Sequence, residues 1–186
     1  VSGRSLVHLQ CNSGQDTLSL AKLGATVTGV DISDEAIAFA VRLSEESGIP
    51  ATFVRSDIFD WFAAAADNGD RYQLAFSSYG AIPWLSDIAA WGRGIASVLE
   101  PGGAFVLVEF HPTAFMFNEK LERDWPYFSA EPIIEDVGVG DYVAASKDGL
   151  VARGYEEGVT GFQNPHPGAE FAWGIADVVM ALVDAG

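Results

Sequence analysis

Residues 6–33, LVHLQCNSGQDTLSLAKLGATVTGVDIS, carry the most informative spacing in the chain. A β-rich run ends in a tight loop, a helical stretch follows, and a second β-rich run ends at Asp31. In doubly wound sheets the first strand-to-helix loop lies at the topological switch point, where backbone N–H groups and a helix N-terminus hold the anionic part of a ligand. Asp31 stands 17 residues after Gly14, near the roughly 20 that separate such a loop from a carboxylate gripping ribose hydroxyls. The pair points to a nucleoside-containing cofactor. Asp31 also reads as an exposed strand-end acid beside a helix start, a place that acids favour for the helix dipole alone. A pyrophosphate site wants G-x-G-x-x-G, whereas the loop runs Gln10-Cys11-Asn12-Ser13-Gly14-Gln15. A nicotinamide-dependent oxidoreductase therefore loses its main support. Further along, Glu109 and His111 follow another β-rich run. His111 has an ordinary pKa suited to taking a proton from an oxygen or nitrogen nucleophile, and it also reads as a hydrogen-bonded structural residue before Pro112. As a metal pair, Glu109 and His111 lack a third ligand at a useful spacing, so no metal is expected.

The elements that must position these residues alternate β-rich and helical through the first 110 residues. Strands are expected near 5–9, 25–30, 51–55, 72–77 and 104–110. Helices are expected over Asp16 to Leu23, from Ser33 as cap to Gly48, over Trp61 to Ala66, and over Ser86 to Leu99, with Pro101-Gly102-Gly103 turning the chain into the next strand. The fold class that follows is α/β: a Rossmann-like, doubly wound, mostly parallel sheet with helices on both faces. From Pro112 to Glu170 the pattern dissolves into Pro, Gly and acidic residues with isolated aromatics, Phe115, Phe117, Trp125, Tyr127 and Phe128 among them. One domain over 1–186 is expected, with 112–170 as a candidate cap or insertion or a partly ordered connection. A last helix is expected over Phe171 to Ala185, with Ile175, Val178, Val179, Leu182 and Val183 on one side.

Composition narrows the classes of partner. The chain has 186 residues, 49% of them hydrophobic and 19% charged, which suits a globular domain with a sizeable core and excludes disorder as its main state. Ten Lys and Arg against 26 Asp and Glu give a formal charge of −16. Nucleic-acid binding needs a cationic face, so neither nucleic acid nor an anionic membrane is expected as a partner. The longest apolar runs fall well short of the roughly 20 residues of a membrane helix. One cysteine, Cys11, cannot form an internal disulfide, and the default is a cytoplasmic protein. The chain opens at Val1 without a Met, so residues before it are expected to have been removed. Oligomeric state is left open.

At this point the chain resembles the class I S-adenosylmethionine-dependent methyltransferases, and in particular a bacterial subgroup whose first motif reads L-H-L-Q-C-x-x-G-x-D-T-L. Residues 6–18 are similar to that motif, and the resemblance continues through 27–33, 53–58, SSYGAIPWL at 77–85, LEPGG at 99–103, VEFHP at 108–112 and FAWGIADVVMALVDAG at 171–186. It leaves out roughly 113–170. The common loop of these enzymes resembles D-x-G-x-G-x-G. Here His8 stands where the acid usually stands, Gln10 and Asn12 stand where the first two glycines usually stand, and Gly14 is kept. The family's sheet normally ends with two further strands, and this chain stops at Gly186.

The resemblance implies S-adenosyl-L-methionine as cofactor. It implies that Leu9, Gln10, Cys11, Asn12 and Gly14 line the methionine and ribose end, that Asp31 binds the ribose hydroxyls, and that Ile32 lies against the adenine. Asp57 and Ile58 are similar to the adenine site, where a carboxylate accepts from the exocyclic amine; Asp57 also reads as a helix N-cap. Ser77, Ser78, Tyr79 and Gly80 would stand beside the transferable methyl. Methyl transfer is an in-line displacement that chiefly needs alignment and exclusion of water. Tyr79 and Trp84 are candidates for contact with the sulfonium or for orienting an acceptor, or are packing aromatics, and His111 and Tyr79 are the candidate catalytic residues. The expected function is methylation of an unidentified small molecule. A non-catalytic or degenerate S-adenosylmethionine-binding domain is the alternative, and the oxidoreductase comes third.

Overall fold

The computed structural model describes residues 1–118, 120–129, 131–135, 161 and 166–186. Its first part alternates strand and helix: β1 (Ser5–Leu9), α1 (Gln15–Lys22), β2 (Thr26–Asp31), α2 (Asp34–Ser47), β3 (Thr52–Arg55), α3 (Ile58–Asn68), β4 (Tyr72–Ser78), α4 (Ile88–Val98) and β5 (Leu99–Val108). The five strands form a parallel sheet in the order β3-β2-β1-β4-β5. Chain order reverses between β1 and β4, which places the switch point at their carboxyl ends, beside the loop after β1. The expected α/β class is the observed one.

Strand alternation decides which helix covers which face. Val7 and Leu9 of β1, with Val30 and Ala75, join the main core formed with Trp61 and Phe62 of α3 and Trp91 and Ile95 of α4. Leu6 and Val27 point the other way and pack with Leu20 and Ala21 of α1. His8 shares that second face, and its ring is buried against Thr17 of α1.

Several boundaries differ from the expected ones for local reasons. Helix α3 starts at Ile58, three residues earlier than expected, because the Asp57 carboxylate accepts from the N–H groups of Phe59 (2.8 Å) and Asp60 (3.3 Å) and so caps it. Helix α4 starts at Ile88 because a 3-10 turn at Ile82–Trp84 precedes it and Asp87 caps it through the Ala90 N–H. Strand β5 begins at Leu99. Tyr72 pairs with Leu99 and Leu74 with Ala104, so Pro101-Gly102-Gly103 bulges out of a ladder that pairs on both sides of it.

After β5 the chain makes a 3-10 turn at Pro112–Ala114. Within the stretch expected to be irregular, β6 (Ile133–Glu135) and β7 (Gly168–Glu170) pair antiparallel. Most of the residues between them lie outside the described ones, as do Glu119 and Ala130. Helix α5 (Ile175–Ala185) begins four residues later than expected. Phe171 and Trp173 are tied to the 82–85 turn instead, the Phe171 N–H donating to Pro83 O (2.7 Å) and the Trp173 indole to Leu85 O (2.8 Å). Helix α5 then packs directly on α4 at Gly92, where a Cβ would collide with the carbonyl of Ala181. Among the described residues, no helix is long and apolar enough to cross a membrane.

Candidate functional site

The loop after β1 keeps a glycine-like backbone with few glycines. Gln10, Asn12 and Gly14 have φ of 55°, 49° and 77°, all left-handed. Asn tolerates that region, whereas Gln adopts it at a cost of roughly 1 kcal/mol. Tertiary contacts hold it there. The Gln10 Nε2 donates to Ala81 O (2.8 Å) across the switch point, and its Oε1 is a buried acceptor without a partner. Gly14 must be glycine for a further reason: a Cβ there would meet Ala40 at 2.7 Å and the Phe53 ring at 2.8 Å.

Asp31 closes this loop from the end of β2. One carboxylate oxygen accepts from the Asn12 N–H (2.8 Å) and the other from the Ser33 N–H (2.9 Å). Each oxygen keeps further acceptor capacity. Beside it, Ile32 is 60% exposed, an apolar side chain open to solvent. Asp57 stands after β3, with Oδ1 engaged in capping α3.

Other expected residues are placed differently from their expected roles. Leu9 and Ser77 are fully buried, and Ile58 packs into the main core. The Leu9 and Ile58 side chains serve packing, whereas the Ser77 Oγ is a buried polar atom without a hydrogen-bond partner. Cys11 is buried too, and burial, with the Asp31 carboxylate adding to it, pushes its thiol up to about 12; it stays protonated and inert. Ser78 is half-buried and bonds the His8 Nε2 (3.2 Å).

His8 occupies the position where the resemblance leads one to expect an acid. Its Nδ1 faces Thr17 Oγ1 at 2.8 Å, and burial lowers its pKa to about 4. The unfolded chain therefore takes up a proton near pH 6.5 that the folded chain refuses until about pH 4. The stabilising effect of a neutral His8 is complete above 6.5 and is lost as pH falls toward 4. Urea unfolding at pH 7 and pH 5 is expected to show a loss of about 2 kcal/mol that is absent from His8→Asn. An equal loss in both proteins would sink this attribution.

At the ends of β4 and β5, Glu109 organises the turn that faces the loop. Its Oε1 accepts from the N–H groups of Gly80 (2.6 Å) and Phe110 (2.7 Å), and its Oε2 from those of Ala81 (2.8 Å) and Ile82 (3.1 Å). The sequence pointed to Glu109 only as a weak metal partner for His111. Its role as a backbone clamp had no local signal, because three of its four donors lie 27 to 29 residues away. Tyr79, just before this turn, has φ of 36° and is 48% exposed, with its ring 5.9 Å from Phe110.

His111 is exposed, and its Nδ1 accepts from the Thr113 N–H (3.3 Å) and faces Thr113 Oγ1 (2.9 Å). An accepting Nδ1 leaves the proton on Nε2. His111 and Glu109 border a cavity of about 270 Å³, walled by Phe110, Phe115, Trp125, Tyr127, Phe171 and Trp173 and by one side of α5. Neither Asp31 nor the loop after β1 reaches it. Among the described residues, no group of three His, Cys, Asp or Glu side chains is placed to hold a metal ion.

Comparison with known proteins agrees with this geometry. A protein of Methylobacterium sp. named ubiquinone biosynthesis O-methyltransferase is 27% identical over 165 residues, 81% of this chain and 64% of that protein. The chain spans 40 to 64% of the length of the first curated relatives that it matches. Among solved structures, an S-adenosylmethionine-dependent methyltransferase from Clostridium acetobutylicum superposes with a TM-score of 0.64 at 16% identity, over 97% of this chain and 72% of that one. One from Mesorhizobium loti superposes with a TM-score of 0.61 at 20% identity, over all of this chain and 74% of that one. These two likenesses are of fold. A methyltransferase domain matches residues 7–103, which hold β1 through the β5 bulge and with them the loop, Asp31, Asp57 and the Tyr79 turn. The chain belongs to the methyltransferase domain family.

Proposed function

We propose that the protein binds S-adenosyl-L-methionine at the carboxyl ends of β1, β2 and β3 and transfers its methyl group to a small molecule. The observation that carries this reading is the loop after β1, which keeps left-handed backbone at Gln10, Asn12 and Gly14 and is tied by its Asn12 N–H to Asp31. The residues fit the cofactor. The buried Gln10 Oε1 lacks a partner and suits an ammonium donor, Asp31 has acceptor capacity for two hydroxyls, and exposed Ile32 suits an aromatic face.

When bound, the cofactor supplies an electrophilic methyl on a sulfonium. The acceptor's lone pair would form the new bond to that carbon as the carbon–sulfur bond breaks, S-adenosylhomocysteine would be the leaving group, and the acceptor's proton would pass to solvent on product release. The chain's part is alignment and exclusion of water. Tyr79, exposed at the end of β4, would set its ring against the sulfonium. His111 would donate from Nε2 to a polar atom of the acceptor beside the reacting one and so orient it, and the described parts of 112–170 would act as the cap over it. The charge of −16 favours a small acceptor over nucleic acid, and the lone Cys11 is consistent with a reducing, cytoplasmic setting.

The test is calorimetric titration with S-adenosylmethionine, S-adenosylhomocysteine and NADH, followed by assay of S-adenosylhomocysteine release with a panel of hydroxylated and amino acceptors. Saturable binding of the two sulfur compounds but not NADH, with release for some acceptor, is expected. Absence of binding by either sulfur compound sinks the reading. Binding without release for any acceptor would indicate a degenerate, cofactor-binding domain.

A further inference from the structure

We infer that the cavity between the carboxyl end of β5, the aromatic segment after it and α5 is a binding site for a neutral, flat, ring-containing organic molecule. Assigning that molecule as the methyl acceptor rests on the function proposed above.

The inference starts from an inventory of the cavity's polar groups. Both Glu109 oxygens are already engaged by four backbone N–H groups, so the carboxylate has little left to offer a cationic ligand. The Trp173 indole N–H is engaged by Leu85 O. Among the described residues that line the cavity there is no Lys or Arg to pair an anion. An anion would lose part of its hydration here and meet the Glu109 carboxylate with no cation to pair it, and a cation would lose part of its hydration and find the carboxylate oxygens already engaged, so a neutral ligand is favoured over both. Two donors remain for a neutral polar atom: His111 Nε2, and the Tyr127 hydroxyl, which accepts from the Ile175 N–H (3.2 Å) and keeps its own proton free.

Shape supports the same class. Phe110 meets Phe115 edge-on at 6.1 Å, and Phe115 lies 6.4 Å from Trp125 at 30°. Rings in mixed edge and tilted arrangements present both faces and edges to a planar guest. Val179 is half exposed on the cavity side of α5, so apolar surface there awaits a cover. The cavity also lies at the carboxyl end of the sheet, where ligands of open α/β folds bind. The Glu109 clamp joins it to the turn that carries Tyr79 and receives the Gln10 bond.

The probes are naphthol, naphthoate and naphthylmethylammonium, three molecules of one shape that differ in charge. Each is titrated into the intact chain with tryptophan fluorescence, since Trp125 and Trp173 line the cavity, and by calorimetry. Naphthol is expected to saturate and to bind at least about tenfold more tightly than either charged probe. Val179→Trp, which fills the cavity from a half-exposed position, and Phe115→Ala, which removes one wall, are each expected to weaken naphthol about tenfold while far-UV circular dichroism is unchanged. Equal or tighter binding of a charged probe, no saturable naphthol binding, or naphthol binding that neither variant alters would overturn the inference. S-adenosylmethionine is titrated in parallel. Its failure to bind while naphthol still binds overturns the methyl-transfer reading alone; the reverse result overturns the cavity assignment alone.

Discussion

Asp31→Ala is expected to weaken S-adenosylmethionine binding by about two orders of magnitude, measured as the calorimetric Kd. Two charge-assisted hydrogen bonds to ribose hydroxyls contribute roughly 1.5 kcal/mol each or more, and about 1.4 kcal/mol is a tenfold change. The loss has a second source, because the carboxylate also receives the Asn12 N–H and so helps hold the loop in its left-handed conformation. Asp31→Asn separates the two effects. It keeps an acceptor for one backbone N–H but places an amide donor beside the other, so its affinity should fall between those of the wild type and the alanine variant. Unchanged Kd in Asp31→Ala would mean that the carboxylate is only a loop and cap residue, as the proximity of the start of α2 allows. The cofactor would then have to be sought elsewhere.

Glu109→Ala is expected to lower the thermal midpoint by about 10 °C. Removing the carboxylate strands four N–H donors, of Gly80, Ala81, Ile82 and Phe110. Each costs roughly 1 to 3 kcal/mol when no water reaches it, but the site is only half-buried and water will satisfy some. A net loss of about 3 kcal/mol is therefore expected, and in a chain of this size each kcal/mol moves the midpoint by about 2 to 4 °C. Glu109→Gln should be no better than partly protective, since its amide sets a donor against donors. The turn also carries the Ala81 carbonyl that receives Gln10, so cofactor affinity should fall with stability. A midpoint within 2 °C of wild type, roughly the effect of a neutral surface change, would show that the clamp is dispensable.

The elements of the parallel sheet were legible in the sequence because their causes are local. The short β-rich run of β1, the Ser33 cap and the Gly48 stop of α2, and the acid at the end of β2 act over a few residues. Misplaced boundaries had causes of middling range. The β5 bulge pairs again beyond Pro101-Gly102-Gly103 because β4 lies alongside, and Phe171 to Trp173 stay outside the helix where the 82–85 turn accepts the Phe171 backbone N–H and the Trp173 indole N–H.

For the site, residue types and spacing alone singled out Gly14, Asp31 and His111, and the resemblance added Asp57 and Tyr79. Three things depended on the tertiary structure. Gln10 adopts a glycine-like dihedral, which its residue type does not announce and which its bond to Ala81 across the switch point sustains. Leu9, Ser77 and Ile58 turn into the core, because strand and helix facing is decided by what packs on each side. The aromatic cavity and the Glu109 clamp exist only where chain segments far apart in sequence meet. Local sequence sets backbone preferences and caps; which side chains share a cavity follows from long-range packing, where no short pattern records the partner.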